Sequence, residues 1–189
     1  MAIAVDIDFD KVYPLTQISE DKRIGVFETE LAEGGDLVPL RVEISNTAHE
    51  LLPDVYNLAF GPVNKKGNID DKAELSHSDY SRVFSTILLT GLNYLATNPD
   101  NYLGVDGSTH SRALLYYRFI QRNFVYLDQH FDLFGLKYYV RISRLGKNQY
   151  DDPFDFTDIL PVPQPITKDM RISSDKLFNY FIFNLKKLA

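Results

Sequence analysis

The first 75 residues place apolar and polar side chains in short alternating runs, which is the pattern of half-buried β-strands. The clearest run has apolar residues at every second position, namely Val38, Leu40, Val42 and Ile44. Pro39 inside this run favours a strand start or an edge position, and residues 34–36 (Gly-Gly-Asp) favour a hairpin turn before it. The pattern predicts strands at residues 15–18, 23–31, 38–44 and 56–60, and a weaker returning strand at 69–75 after a loop at 62–68.

From residue 79 the apolar spacing changes from two to three and four, which is typical of an amphipathic α-helix. The residues with this spacing are Val83, Phe84, Ile87, Leu88, Gly91, Leu92 and Leu95. Ser78 or Asp79 can cap its start and Pro99 follows its end, so a helix is predicted over residues 79–98. A short strand at 102–105 and a second helix at 110–123 come next, and residues 124–131 either extend that helix or form a short separate one.

Residues 136–143 are rich in tyrosine and β-branched side chains and predict another strand. Four of the nine prolines lie at residues 146–170 together with several aspartates, which excludes a central strand or a helix there. The segment is therefore predicted to be a long extended connection. A helix capped by Ser173 or Ser174 is predicted over residues 171–189, with Leu177, Phe178, Phe181 and Ile182 on its apolar face.

These elements indicate a single α+β domain. An amphipathic helix needs an apolar surface to cover, and one face of a sheet supplies it. We expect an antiparallel sheet of about five or six strands packed against two or three helices. Residues 1–145 would form the core domain, residues 146–170 the proline- and acid-rich connection, and residues 171–189 a helix packed on the core.

The composition is that of a globular protein, with 44% hydrophobic and 24% charged residues among 189. Twelve tyrosines and 13 phenylalanines supply an aromatic core. The absence of cysteine excludes a disulfide framework, a cysteine nucleophile and a thiolate metal site. The sequence shows neither a secretory leader nor a run of about 18 apolar residues, so we expect a cytoplasmic protein without a membrane span.

The net charge of −6 is unevenly distributed. Residues 1–78 carry 15 acidic and 7 basic side chains, whereas residues 79–149 carry 5 acidic and 8 basic ones. The acidic total argues against a nucleic-acid coat or a membrane-surface binder, but the middle third could hold a small anion. The alternative is that the acidic region only keeps the protein soluble.

Residues 106–112 (Asp-Gly-Ser-Thr-His-Ser-Arg) are the constellation that most suggests ligand chemistry. A strand that passes through a glycine turn into a helix exposes backbone N–H groups at the positive end of the helix dipole. Gly107 would let a ligand approach the backbone, and Ser108 and Thr109 could donate to a phosphate or carboxylate. Arg112 could bind the same anion with two hydrogen bonds.

The other interpretation of this turn is purely structural. Ser108 or Thr109 would cap the helix, Gly107 would make the turn, and Arg112 would pair with an acid such as Asp106. The spacing is neither that of a Walker A loop nor GxGxxG.

Arg118 and Arg122 lie four residues apart on the second predicted helix and form a secondary basic patch among aromatic residues. They either bind a single-stranded nucleic acid or reach solvent above an aromatic core. Because affinity for nucleic acid grows with the number of phosphates that a protein neutralises, this small number of arginines does not lead us to expect a nucleic-acid partner.

The four histidines, at positions 49, 77, 110 and 130, show no metal-binding spacing, and we expect no metal and no cofactor. His110, beside the glycine turn, is the candidate general acid or base. Its alternative role is that of a surface residue in the first helical turn.

Four segments in this order resemble a family of small bacterial proteins known only as a domain of unknown function. They are residues 56–61 (Tyr-Asn-Leu-Ala-Phe-Gly), 67–71 (Gly-Asn-Ile-Asp-Asp), 78–86 and 107–116. The family pairs an NLAFG strand and an acidic hairpin with a long helix, followed by a GSTxxRxxLY turn. The resemblance covers about residues 10–145 and implies an α+β fold but no activity. It makes Gly107, Ser108, Thr109, Arg112 and Tyr116 signature positions.

Two functions follow as hypotheses. The first is a non-enzymatic protein-interaction or ligand-binding module of a bacterial cytoplasm, for example in a toxin–antitoxin or phage-defence system, with a protein partner or a second copy of itself. The second is an enzyme that acts on a phosphorylated or nucleotide-like substrate, with the anion held at residues 106–112.

Overall fold

Two α-helices lie on one face of a mixed β-sheet. The structure, a computed structural model, describes residues 5–70, 73, 75–107, 109–137 and 162–187. In chain order the described elements are β1 (Leu15–Ile18), β2 (Ile24–Glu30), β3 (Leu37–His49), β4 (Leu52–Pro62), α1 (Tyr80–Thr97), β5 (Tyr102–Asp106), α2 (His110–Leu127), β6 (Phe131–Leu136), β7 (Gln164–Pro165) and β8 (Tyr180–Leu185). The eight strands of this part of the chain are ordered β1-β2-β3-β4-β5-β8-β6-β7.

Strands β1 to β4 form an antiparallel meander. Gly34 and Gly35 take positive φ angles of 85° and 67° between β2 and β3, which confirms the predicted hairpin turn. Pairing of β3 with β4 begins at Leu40, opposite Pro62. Pro39 therefore lies near the start of its strand, before the pairing with β4 begins. A strand start is one of the two positions that the sequence predicts for this proline.

The second half of the sheet is not a simple meander. β4 and β5 are parallel, with Val55 opposite Tyr102, because α1 carries the chain back across the sheet between them. β8 pairs antiparallel with both β5 and β6, so those two strands also run in the same direction. The expected antiparallel sheet thus contains a parallel pair.

Both long helices form as the apolar spacing predicts. Asp79 caps α1 by accepting a hydrogen bond from the Arg82 backbone N–H at 2.9 Å, and the helix ends before Pro99. α2 continues to Leu127, which settles the alternative for residues 124–131 in favour of an extension up to that residue. Leu127 is buried in the main core between the helices and the sheet, and this burial gives the longer helix its stability.

The predicted helix at residues 171–189 is wrong. Ser174–Lys176 form a single 3₁₀ turn, and Tyr180–Leu185 form strand β8 in the interior of the sheet. Residues 180–184 are all buried, so both faces of β8 are covered and its sequence is continuously apolar rather than alternating. Such a short apolar run cannot be distinguished from a buried helix by periodicity alone.

The number of strands is also larger than the expected five or six, since the sheet has eight. β7 lies in the predicted connection and β8 in the predicted terminal helix. β6 shares only Leu136 with the strand predicted at 136–143. In the predicted connection 146–170, residues 164–165 form the short edge strand β7, an edge position that suits its proline. Residues 146–161 lie outside the described part of the chain, as do residues 138–143 of the strand predicted at 136–143.

Within the returning strand predicted at 69–75, the described residues show one isolated bridge, between Val63 and Ile69. Residues 73 and 75 are described and lie outside any strand. No helix among the described residues has the length and apolarity needed to cross a membrane.

Candidate functional site

The turn between β5 and α2 has the geometry of a packed helix start. The Gly107 backbone N–H donates to the Asn179 carbonyl at 2.8 Å. A Cβ atom at position 107 would lie 2.9 Å from Cα of Ala113, which is buried in the first turns of α2. Glycine is therefore needed there so that α2 can begin directly against the end of β5.

The other predicted anion ligands lie around this helix start. Thr109 is the N-cap, and its hydroxyl accepts from the Arg112 backbone N–H at 3.2 Å. The exposed His110 ring has Nε2 3.1 Å from the Ser174 hydroxyl. Arg112 is half-buried, and Ser108 lies outside the described residues. The capping interpretation thus accounts for Thr109, whereas anion binding stays a prediction.

Tyr116, the remaining signature position, belongs to the hydrophobic layer beneath α2. Its ring packs edge-on against Phe181 of β8, with centroids 6.1 Å apart. This contact gives Tyr116 a packing role, and its role as a ligand-binding residue stays a prediction.

The two arginines of the predicted basic patch differ in their environment. Arg122 forms a two-point ion pair with Asp6, with Nε 2.8 Å from Oδ1 and Nη2 3.3 Å from Oδ2. Hydrogen bonding to this guanidinium lowers the pKa of Asp6 below its ordinary value. Arg118 is exposed and forms no ion pair within the described ranges. A carboxylate of the same chain therefore neutralises half of the patch.

Asp6 belongs to a segment that the sequence analysis did not single out. Residues 5–13, which we call the N-terminal strap, form no strand or helix. They run between α1 and α2 up to a turn at residues 9–11, where the Lys11 N–H donates to the Asp8 carbonyl at 3.1 Å, and then cross α1 towards β1. Ile7 is only 6% exposed and belongs to the main core. The surface that receives the strap, which we call the inter-helix groove, is formed by side chains of both helices.

The backbone of the strap is bound mainly by side chains. Five strap N–H groups donate to side-chain oxygens of the two helices: Asp6 to Ser81 (2.9 Å), Ile7 to Asn123 (2.8 Å), Asp8 to Ser85 (3.0 Å), Phe9 to Tyr126 (2.9 Å) and Tyr13 to Thr86 (2.9 Å). Three of these acceptors belong to α1 and two to α2. The N–H groups of residues 6 to 9 thus donate alternately to α1 and α2, which fixes the register of the strap between the two helices.

Asn123 is central to this arrangement. It is 7% exposed; its carbonyl oxygen accepts from Ile7, and its amide nitrogen donates to the carbonyls of Val5 and Phe119, each at 3.0 Å. At the other end of the strap, Arg82 donates to the Val12 carbonyl at 3.1 Å and lies over the Tyr13 ring. A buried amide that bonds in both directions fixes the strap along its length.

The strap side chains alternate between the core and solvent. Val5, Ile7 and Phe9 pack against the main core, while Asp6 and Asp10 are exposed. The Phe9 ring lies among Tyr126, His130 and Phe131, with centroid distances of 5.4, 4.9 and 6.4 Å.

An apolar cavity of about 60 Å³ lies between the two helices and the sheet. Phe84 of α1 and Phe119 of α2 meet at its rim with ring centroids 5.4 Å apart. Every lining residue is hydrophobic or aromatic, among them Val105 and Phe183. The helices are thus bridged by rings and by the strap, and a small space stays unfilled beneath them.

The opposite face of the sheet carries a smaller apolar cluster beside three titratable groups. His49 lies 5.4 Å from the Tyr180 ring, and Tyr180 is the register partner of Asp106. Burial lowers the pKa of His49. The described residues contain no group of three histidine, aspartate or glutamate side chains arranged to bind a metal.

Two sequence signals could have revealed the strap. Residues 5–10 read Val-Asp-Ile-Asp-Phe-Asp, a strict alternation before the first predicted strand. Asn123 interrupts the apolar face of the second helix, and a polar residue in such a place needs a partner.

The sequence model of a family of unknown function, DUF6934, matches residues 11–154. This match confirms the expected kind of family over most of the chain. No curated protein and no solved structure matches the chain.

Proposed function

We propose that this chain, which belongs to the family of unknown function DUF6934, is a protein-interaction module whose inter-helix groove binds an extended segment of a partner protein. The observation that carries this proposal is the binding of the strap backbone by side chains of both helices. In this structure residues 6–9 occupy the groove, and their backbone N–H groups donate to side chains of both helices.

The chemistry of the groove supports a peptide rather than a small apolar ligand. If the strap left the groove, the buried amide of Asn123 would lose its hydrogen bonds to Ile7 and Val5. An unsatisfied buried amide lowers the stability of the protein. Ser81 and Ser85 would lose the N–H groups that they accept. A segment that replaces the strap must therefore restore the same backbone hydrogen bonds, and an extended peptide chain does so irrespective of its side chains.

The strap can yield to a competitor because it belongs to no strand or helix and is held by side-chain acceptors of the two helices. Segments outside the hydrogen-bonded sheet open locally at a smaller free-energy cost than core strands. Its tether nevertheless gives it a high effective concentration at the groove. A partner segment must therefore bind the groove with a more favourable free energy than the tethered strap does.

A trans-binding experiment tests the proposal. The full chain carrying Ile7→Asn has a weakened strap and an intact groove, because position 7 supplies the buried anchor. A fluorescently labelled peptide with the sequence of residues 5–13 should bind this variant more tightly than it binds the wild-type chain, as measured by anisotropy. Binding should be lost when Asn123→Ala is added and retained with Asn93→Ala, an exposed asparagine of α1.

Absence of peptide binding to a folded Ile7→Asn chain, with circular dichroism matching that of the wild type, would refute the proposal. The alternative of an enzyme with an anion site rests on residues 106–112 and stays a prediction. Assignment to a toxin–antitoxin or phage-defence system also stays a prediction.

A further inference from the structure

We infer that the partner segment alternates apolar and acidic residues, in the order apolar, carboxylate, aliphatic, Asp or Asn, aromatic, and that it belongs to a different protein. This inference rests on the proposed function and specifies the chemistry that the groove selects. It follows from the contacts that the groove makes with the side chains of the strap.

The second position favours a carboxylate. Asp6 is exposed and receives both hydrogen bonds of the Arg122 fork, and the pairing raises the pKa of Arg122 as it lowers that of Asp6. A planar guanidinium with two donors selects a carboxylate over an amide of the same shape. Because the pair is exposed to solvent, its contribution to selectivity is modest.

The third position requires an aliphatic side chain. Ile7 is buried in the main core, with its N–H bound by Asn123 on α2. A polar side chain at this position would be desolvated without a partner.

The fourth position is selected for the conformation of the segment rather than for charge. The Asp8 side chain accepts from the Asp10 backbone N–H at 3.0 Å and pairs with Lys11 at 2.9 Å. The first of these bonds is an Asx-type turn, which asparagine can also form but the longer glutamate cannot. The turn directs the chain out of the groove and over α1.

The fifth position requires an aromatic ring. Phe9 is surrounded by Tyr126, His130 and Phe131 in edge-on and tilted contacts. The Tyr126 hydroxyl also accepts the Phe9 backbone N–H. An aliphatic side chain here would lose the aromatic contacts while keeping the backbone bond.

Charge and tethering favour a different protein over a second copy as the source of the segment. Residues 1–78 carry 15 acidic and 7 basic side chains, so exchange of straps would bring two acidic regions together. Each strap is also fastened beyond the groove, where Tyr13 stacks on Phe27 with centroids 5.7 Å apart and lies under Arg82. Exchange would reproduce the contacts of the monomer without adding new ones.

The experiment uses the full-length Ile7→Asn chain and a series of nine-residue peptides. The parent peptide has the sequence of residues 5–13, and the others carry Asp6→Asn, Asp8→Asn, Asp8→Glu or Phe9→Leu. We expect Asp6→Asn to weaken binding about two- to fivefold. We expect Asp8→Asn to bind like the parent, and Asp8→Glu and Phe9→Leu to bind more weakly.

A pair of protein variants tests the carboxylate position directly. Arg122→Gln should abolish the preference for the parent over the Asp6→Asn peptide. Arg118→Gln, which removes an exposed arginine one turn earlier on the same helix, should retain it. Retention of the preference in Arg122→Gln would overturn the role of this arginine.

The possible outcomes separate the two proposals. If no peptide binds, both the proposed function and this inference fail. If all peptides bind equally, the groove is a peptide receptor but the inferred selectivity is wrong. If light scattering and cross-linking show that the wild-type chain dimerises by exchanging straps, the occupant is a second copy, and the assignment to a different protein is overturned.

Discussion

At the scale of single residues, two candidate ligands of the turn at 106–112 have structural roles, since Gly107 lets α2 pack closely against β5 and Thr109 caps α2. Gly107 and Thr109 were recognised from sequence because glycine and threonine at a helix start have few roles. The sequence could not decide between capping and anion binding, since both use the same backbone geometry. Asn123, in contrast, was missed, because its partners at residues 5 and 7 are more than 100 positions away in sequence.

Replacing Asn123 by alanine should destabilise the protein by about 1–3 kcal/mol. The variant leaves the Ile7 N–H and the Val5 carbonyl without the amide that now satisfies them. Urea denaturation followed by circular dichroism measures the loss. Asn93→Ala, at an exposed position of α1, should change stability by less than about 0.5 kcal/mol. Equal unfolding midpoints for the two variants would contradict the role given to Asn123.

Gly107→Ala should also destabilise, by about 1–3 kcal/mol. The added Cβ would meet the Ala113 backbone at 2.9 Å, and backbone cannot move aside as the end of a flexible side chain can. Thermal unfolding of the variant gives the answer. A wild-type melting temperature would show that the helix start has room for a side chain, and the packing role of Gly107 would then be wrong.

Val105→Leu tests the space beneath the helices in the opposite direction. Val105 lines the apolar cavity of about 60 Å³, so an added methylene has room to enter it. We expect a gain of up to about 1 kcal/mol in the free energy of unfolding. Val38→Leu, at a partly buried position of β3 away from this cavity, is the control and should not gain stability. A loss in Val105→Leu would mean that the cavity walls cannot accommodate the larger side chain.

At the scale of elements, the sequence predicts β3 and α1 correctly because each has one apolar face, and it predicts β8 wrongly because both faces of that strand are buried. β3 alternates and α1 shows spacings of three and four, so each pattern reports one apolar face. β8 has no solvent face, and its Tyr-Phe-Ile-Phe run fits a helix as well as a strand. The signals that decide between them lie elsewhere in the chain, at Gly104 and Gly135, where the absence of a side chain makes room for the Tyr180 and Phe178 rings.

The strap is the element most open to control by pH. The pKa of Asp6 is lowered by its hydrogen bonds to Arg122, so the ionised form favours the bound strap. This contribution is present above the pKa of a free aspartate, near 4, and is lost as the pH falls through the lower pKa of the bound form. We expect the Ile7 and Phe9 amide signals in NMR spectra to report a weakening of strap binding as the pH falls below about 4.

The Arg122→Gln chain is the comparison for this titration. Its strap should be weakened already at neutral pH, and its Asp6 should titrate like a free aspartate. An identical acid profile in the two proteins would exclude the ion pair as the cause.

At the scale of the whole molecule, burial of histidines makes global stability depend on pH. Burial lowers the pKa of His49 and of His77, whose Nδ1 lies 3.3 Å from the hydroxyl of the buried Thr29. As the pH falls from about 7.5 to 5, the unfolded chain therefore takes up protons more readily than the folded one. The melting temperature should drop over this interval. His77→Gln should reduce the drop, and an unchanged slope in that variant would show that His77 does not contribute.

The position of β8 has a consequence for the order of events during synthesis. The ribosome releases β5 and β6 long before β8, yet β8 is the strand that joins them. Until β8 emerges, β5 and β6 each present an unpaired edge. The sheet against which both helices pack is then still incomplete. A nascent chain stalled before residue 180 would thus hold two separate sheets with open hydrogen-bonding edges. Such a chain aggregates unless a chaperone binds it first.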